Sequence, residues 1–115
     1  NVFNFNSIIQ MPPELMSLEE QYHQREGLPD EVTKARLRKE YGADNWHDWC
    51  INNWGTKWNS YDSHIAEKTT TYVIYTFSTA WAPPAPIITR LRKDCPDFHI
   101  SAFYDEPEME MAGYL

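Results

Sequence analysis

The sequence predicts an α+β sandwich, and three stretches carry that expectation. "TTYVIYTFST" is β-branched and aromatic throughout and reads as a strand. "APIITRLRK" switches to a helical period, with Ile87, Ile88 and Leu91 on one face and Arg90, Arg92 and Lys93 opposite. "FHISAFYDE" returns to alternation, placing Phe98, Ile100, Ala102 and Tyr104 on one side of a second strand. Strand, helix and strand in that order form a βαβ unit, whose right-handed crossover helix covers one sheet face and leaves the two strands parallel. The first of these strands is expected to be central or well covered.

The remaining elements follow in chain order. "NVFNFNSII" alternates, with Phe3 and Phe5 on one face, and predicts an added strand near the amino terminus that the two prolines of "MPPEL" terminate. Ser17 followed by Glu20 fits a capping box and starts a short polar helix that Gly27 and Pro29 end. Asp30 and Glu31 place negative charge at the start of a second helix, Arg36, Arg38 and Lys39 place positive charge near its end, and Gly42 stops it. Asp44 is expected to cap a third helix with Trp46, Trp49, Cys50 and Asn53 on a shared face, closed by Gly55. Ser60 to Thr69 reads as a polar connector. Pro84 and Pro86 suit the first turn of the crossover helix, and Pro96 ends it. One domain over residues 1–115 results, with 17–59 as a tryptophan-rich helical insertion and 105–115 as an acidic tail.

Composition bounds the function. A chain of 115 residues buries about two-thirds of its unfolded surface, and 42% hydrophobic content separates it from disordered sequences. Apolar runs such as "YVIY" fall far short of the roughly 20 residues a membrane helix needs, so no membrane partner is expected. The chain opens without an initiator methionine or a basic-then-apolar leader, which suggests a processed product or a piece of a longer chain. Cys50 and Cys95 are expected as buried thiols in a reducing compartment. A net charge of −7 repels phosphate backbones and favours basic partners, which argues against duplex nucleic acid.

The stretch "DNWHDWCINNWGTKWN" concentrates the chemistry-bearing residues. His47 and Cys50 sit at half of a zinc-site spacing, but Cys95, His99, His64 and His23 supply no second pair, so no metal and no cofactor are expected. Cys50 as nucleophile with His47 as base lacks a positioned third group; Asp44 and Asp48 read as a cap and a helix-start charge. There is no glycine-rich phosphate loop, HExxH helix or GxSxG elbow. The tryptophans are expected to wedge the insertion onto the sheet, each removing roughly 150–250 Å² from water, worth roughly 4–6 kcal/mol. The sharper alternative is a pocket around Trp49, Cys50, Trp54, Trp58 and Trp81, with Lys57 beside it, on which a base or sugar stacks. In the tail, Asp105, Glu106, Glu108 and Glu110 alternate with Met109 and Met111, a pattern suited to docking on a basic protein.

At "WHDWCINNWGTKWN", "TAWAPPAPI" and "DEPEMEMAG" the chain resembles the YubB-like proteins of phages, plasmids and prophages, from "FNSIIQMPPEL" to "EMAGYL". The resemblance implies a ferredoxin-like α/β sandwich with the helical insertion between its first and central strands, in a bacterial cytoplasm. Members of that family carry an earlier strand and helix, so this chain is expected to lack the first strand–helix unit. They also have glycines where this chain has Glu108 and Glu110. No reaction comes with the resemblance. The expected function is a small non-catalytic acidic interaction module of a mobile element, engaging a host or phage protein, with a homodimer through an exposed sheet edge as a further partner. The alternatives are a small-molecule or enzymatic domain at the Trp/His/Cys cluster and a single-stranded nucleic-acid binder.

Overall fold

A computed structural model describes residues 1–17, 30–108 and 111–115. Asn4 decides the conformation of the first segment. Its side chain accepts the Asn6 N–H at 3.0 Å and starts a four-residue helix, α1 (Phe5–Ile8). The expected amino-terminal strand is therefore a short helix. The alternation of Phe3 and Phe5 is real, but an asparagine between them offers the backbone a local cap that competes with ladder pairing. Residues 13–17 are also helical, with the Ser17 hydroxyl donating to the Pro13 carbonyl. Ser17 thus lies within a helix and is not its cap, while Glu20, Gly27 and Pro29 lie outside the described residues.

The next two helices form where the sequence predicts them. In α2 (Glu31–Tyr41), the Asp30 carboxylate accepts the Thr33 N–H at 2.8 Å, and Gly42 ends the helix at φ +80°. For α3 (Trp46–Trp54) the cap is Asn45, which accepts the Asp48 N–H at 2.8 Å. Asp44, the expected cap, instead accepts from Arg38 Nε and Asn45 Nδ2, each at 2.7 Å. Gly55 closes α3 at φ +81°, its N–H directed at the Cys50 and Ile51 carbonyls.

Ser60–Thr69 is not a connector: it contains β1 (Tyr61–Lys68), antiparallel to β2 (Val73–Ser78), with Tyr61 opposite Ser78 and Lys68 opposite Val73. The strand escaped a pattern search because nearly all its residues are exposed, so neither face demanded apolar side chains. Two register shifts and a left-handed Asp62 at φ +50° make β1 irregular, whereas β2 is uncharged. Nor is β2 central. Among the described residues it pairs with β1 alone, and Val73, Ile74 and Tyr75 are exposed.

Helix α4 (Ala85–Asp94) buries Ile87 and Ile88 and is stopped at Cys95. β3 (Phe103–Glu106) is shorter than expected, with Phe98 exposed outside it, and pairs with β4 (Met111–Tyr114). Consequently β2 and β3 lie in separate two-stranded sheets, and the parallel pair of the βαβ expectation is absent among the described residues. Closing the 107–110 connection costs little entropy compared with bringing β2 and β3 together across α4. The tail is thus one arm of a hairpin.

Phe5, Met11, Leu15, Leu37, Trp49, Trp54 and Ile87 form the buried core, which the amino-terminal segment, α2, α3 and α4 build together. The β1–β2 hairpin meets it through Phe77, whose ring stacks on Phe3 at 4.3 Å and 6° and lies edge-on to Phe5 at 6.0 Å. A radius of gyration of 16.4 Å, against about 13 Å for a compact chain of this length, reflects a shape extending over 50 × 34 × 21 Å. The chain is α+β, with four labelled helices and two small antiparallel sheets.

Candidate functional site

The tryptophans divide into two groups. On α3, the 3.6-residue period turns Trp49 and Cys50 inward, and Trp54 follows one turn later. Trp49 and Trp54 meet edge to face at 5.4 Å, Trp54 packs on Phe5 at 5.8 Å, and the Trp54 indole N–H donates to the Ile9 carbonyl at 2.8 Å. With its apolar body buried and its one donor satisfied, Trp54 is core, 2% exposed. Trp49 is core beside it. Trp54 thereby joins α3 to α1 through Phe5, and Phe77 of β2 packs against the same cluster.

Gly55 then reverses the chain. The buried Thr56 hydroxyl donates to the Trp58 carbonyl at 2.7 Å, fixing a turn that carries Lys57 and Trp58 to the surface. Lys57 Nζ lies 4.2 Å from the centroid of the Trp58 ring and 5.8 Å from that of Trp81. Trp58 is 46% exposed and Trp81 79% exposed. Trp81 also has φ +69°, a conformation that non-glycine residues rarely adopt, in a turn where Thr79 Oγ1 donates to the Ala82 carbonyl at 2.7 Å.

Of the five expected pocket residues, Cys50, Trp54 and Trp58 line one cleft of about 210 Å³, together with Met11, Met16 and Trp46. Trp49 is buried behind it, and Trp81 stands outside beside Lys57. Sequence patterns missed the two methionines, which reach the cleft from the segment around "MPPEL" and have no spacing that marks them. They also missed Asn59, whose Oδ1 accepts the Phe5 and Ser60 N–H groups at 2.9 and 2.8 Å while its amide donates to Asn4 at 2.7 Å. That side chain ties the amino-terminal segment to the rim of the cleft.

A second, polar cavity of about 350 Å³ lies on the other side of α3, where Arg38, Asp44, His47, Asp48 and Asn52 contribute to the lining. His47 Nδ1 is 3.3 Å from Asp48 Oδ1. The Asp44 carboxyl is held below the usual aspartate range, chiefly by the Asn45 amide and then by Arg38. His47 opens on this cavity and Cys50 on the apolar cleft, so the two do not share a site. Among the described residues no three His, Cys, Asp or Glu side chains gather as a metal-ligand set. Cys50 is buried in the core and Cys95 half-buried after α4.

On the β3–β4 hairpin, Asp105, Glu106 and Glu108 are exposed, and Glu106 stands opposite Met111; Met109 and Glu110 lie outside the described residues. Phe103 and Tyr114 face each other across the strands at 5.2 Å and are 61% and 76% exposed. None of the ion pairs among the described residues includes Asp105, Glu106 or Glu108. No described helix is long and apolar enough to cross a membrane.

Neither the curated proteins nor the solved structures contain a match to the chain. A family model does match, that of the ferredoxin-like domain in Api92-like protein, over residues 53–115. The match takes in the Lys57–Trp58 turn, Trp81, both hairpins and α4, and leaves residues 46–52 of α3 outside. It covers more than half of the sequence, and the chain belongs to this family of ferredoxin-like domains.

Proposed function

We propose that the protein is a non-catalytic interaction module of a phage, plasmid or prophage, acting in the bacterial cytoplasm on a basic host or phage protein. The observation that carries this reading is the β3–β4 hairpin. It presents Asp105, Glu106 and Glu108 to solvent beside two exposed aromatic rings, and no described cation neutralises them. Carboxylates left in water cost no desolvation until a partner arrives, and they steer a basic surface during encounter; the rings then supply apolar area at contact. The net charge of −7 extends the same field over the molecule. The resemblance of its aromatic and proline blocks to the YubB-like proteins supports the mobile-element setting.

A second contact in this reading is the outer edge of β2. The strand carries no charge, proline or glycine, which are the usual guards of an open edge, so a strand from a second copy is able to extend the sheet. The test of the main claim is capture from bacterial lysate on immobilised wild-type protein and on an Asp105→Asn, Glu106→Gln, Glu108→Gln variant, with bound proteins identified by mass spectrometry. Wild type should retain basic proteins that elute as salt rises and that the variant loses. Equal capture by both would remove the acidic hairpin from the mechanism.

A further inference from the structure

We propose that Lys57, Trp58 and Trp81, with the cleft behind Trp58, form a peptide-recognition site for a large apolar side chain followed closely by a carboxylate. The proposal shares with the interaction reading the premise of a protein partner, but it uses a different surface and a different chemistry.

Three observations define the ligand. The cleft holds about 210 Å³; Met11, Met16, Trp46, Cys50, Trp54 and Trp58 form most of its wall, and Asn6 and Asn59 complete it. A cavity of roughly 150 Å³ already takes a benzene ring, so one phenylalanine- or leucine-sized side chain fits, and methionine walls adapt to its shape. At the rim, Lys57 Nζ rests over Trp58 and forms no ion pair among the described residues. Its ammonium is positioned and lacks a carboxylate, which the ligand would bring.

Trp81 supplies the third part. A residue in the left-handed region strains its backbone, and such strain persists only where the surrounding structure holds it, most often at binding and switch sites. Here the indole is 79% exposed at φ +69°, so packing within the molecule provides little compensation. The turn, held by Thr79 and followed by Pro83 and Pro84, instead presents the ring as a fixed wall beside Lys57. Tryptophans displayed in this way are the side chains most enriched among the dominant contacts of protein interfaces.

A peptide fits these features better than a single-stranded nucleic acid. Stacking on indoles suits bases, but a nucleic-acid track needs a row of cations along the backbone, and this site has one. A net charge of −7 repels a polyanion far more than a segment with a single carboxylate.

The test uses a short Gly/Ser-flanked Phe-Glu peptide, its Phe-Gln and Ala-Glu counterparts and a short oligothymidylate, titrated while the indole N–H signals are followed by NMR. The Phe-Glu peptide should shift the Trp58 and Trp81 signals. Phe-Gln, or Lys57→Gln in the protein, should weaken binding about three- to fivefold, the worth of a surface ion pair. Ala-Glu should weaken it by more than about tenfold, the worth of a buried ring.

Trp81→Gly separates recognition from packing. Glycine adopts φ +69° without strain, so the melting temperature should hold or rise while peptide binding falls. A fall in melting temperature would make Trp81 a packing residue and overturn its assignment. So would a Phe-Glu peptide that moves neither indole signal at millimolar concentration, or salt-sensitive oligothymidylate binding in place of peptide binding. Because no acidic-hairpin residue takes part, failure here leaves the capture experiment above untouched, and the reverse holds too.

Discussion

Individual residues show most directly how burial and display are apportioned. Trp54 and Trp81 have the same side chain and opposite situations: one is 2% exposed with its indole N–H satisfied by Ile9, the other 79% exposed on a left-handed turn. Trp54→Ala should therefore lower stability by about 3–5 kcal/mol in urea unfolding, because it empties an aromatic site and leaves the Ile9 carbonyl without its indole donor. A loss below about 1 kcal/mol would mean that the core closes over the gap. Sequence alone placed Trp49, Cys50 and Trp54 close together, since helical periodicity and the Gly55 stop are local signals. It could not separate Trp58 from Trp54. What separates them is the positive φ at Gly55 and the Thr56 hydroxyl bond, neither of which has a spacing signature.

At the scale of elements, the helices with local punctuation and the strands β2 and β3 are legible in the sequence, and the pairing of the strands, which is non-local, is not. α2, α3 and α4 are bounded by Asp30, Gly42, Gly55 and Pro84, each acting within a turn of its helix. β1 was lost in polar exposed sequence. The sheet pairing was misjudged because nothing in a period-2 pattern says whether the neighbour is parallel and distant or antiparallel and adjacent. The two helix-ending glycines offer a test of what each position requires. Both have φ near +80°, but a Cβ at Gly42 meets nothing within 4 Å, whereas one at Gly55 would stand 2.8 Å from Pro86 Cδ and 3.2 Å from the Pro83 carbonyl oxygen. Gly42→Ala should cost about 1 kcal/mol, the backbone term alone. Gly55→Ala should cost more, roughly 2–4 kcal/mol, because it also forces the "PPAP" turn away from α3. Equal losses in chemical denaturation would show that the turn yields freely and that α3 and α4 are not held at this contact. Since that stretch directly follows the turn that presents Trp81, Gly55→Ala should disturb the Trp81 indole signal, and Gly42→Ala should leave it in place.

Across the whole molecule, the acidic residues are distributed between two roles, and substitution should separate them. Asp30 is held below its ordinary range, first by the Thr33 backbone N–H. Asp44 is lowered first by the Asn45 amide and then by Arg38, and Glu14 first by its hydrogen bond from Arg36. These carboxyls bind protons less readily in the folded chain than in the unfolded one. Between the folded and unfolded pKa values the unfolded state therefore carries more protons, and stability rises with pH there. Their contribution is complete above the ordinary carboxylate values, about pH 4, and drains away as pH falls through the lowered ones. Tyr41 acts from the alkaline side. Burial first, and then its hydrogen bond to Glu14, raise its pKa, so its contribution is present below about pH 10 and is lost on rising through the folded value. Asp105, Glu106 and Glu108 join no ion pair among the described residues; Glu106 Oε1 accepts only the nearby Glu108 N–H, at 3.0 Å. The urea midpoint should fall on acidification below about pH 4, and Asp44→Asn should lower the neutral-pH midpoint while flattening its acid dependence. Asp105→Asn with Glu106→Gln should leave the neutral-pH midpoint almost unchanged, because both side chains are exposed. If the hairpin substitutions lower that midpoint by as much as Asp44→Asn does, those carboxylates are engaged within the fold, and the surface offered to a basic partner is smaller than the exposed hairpin implies.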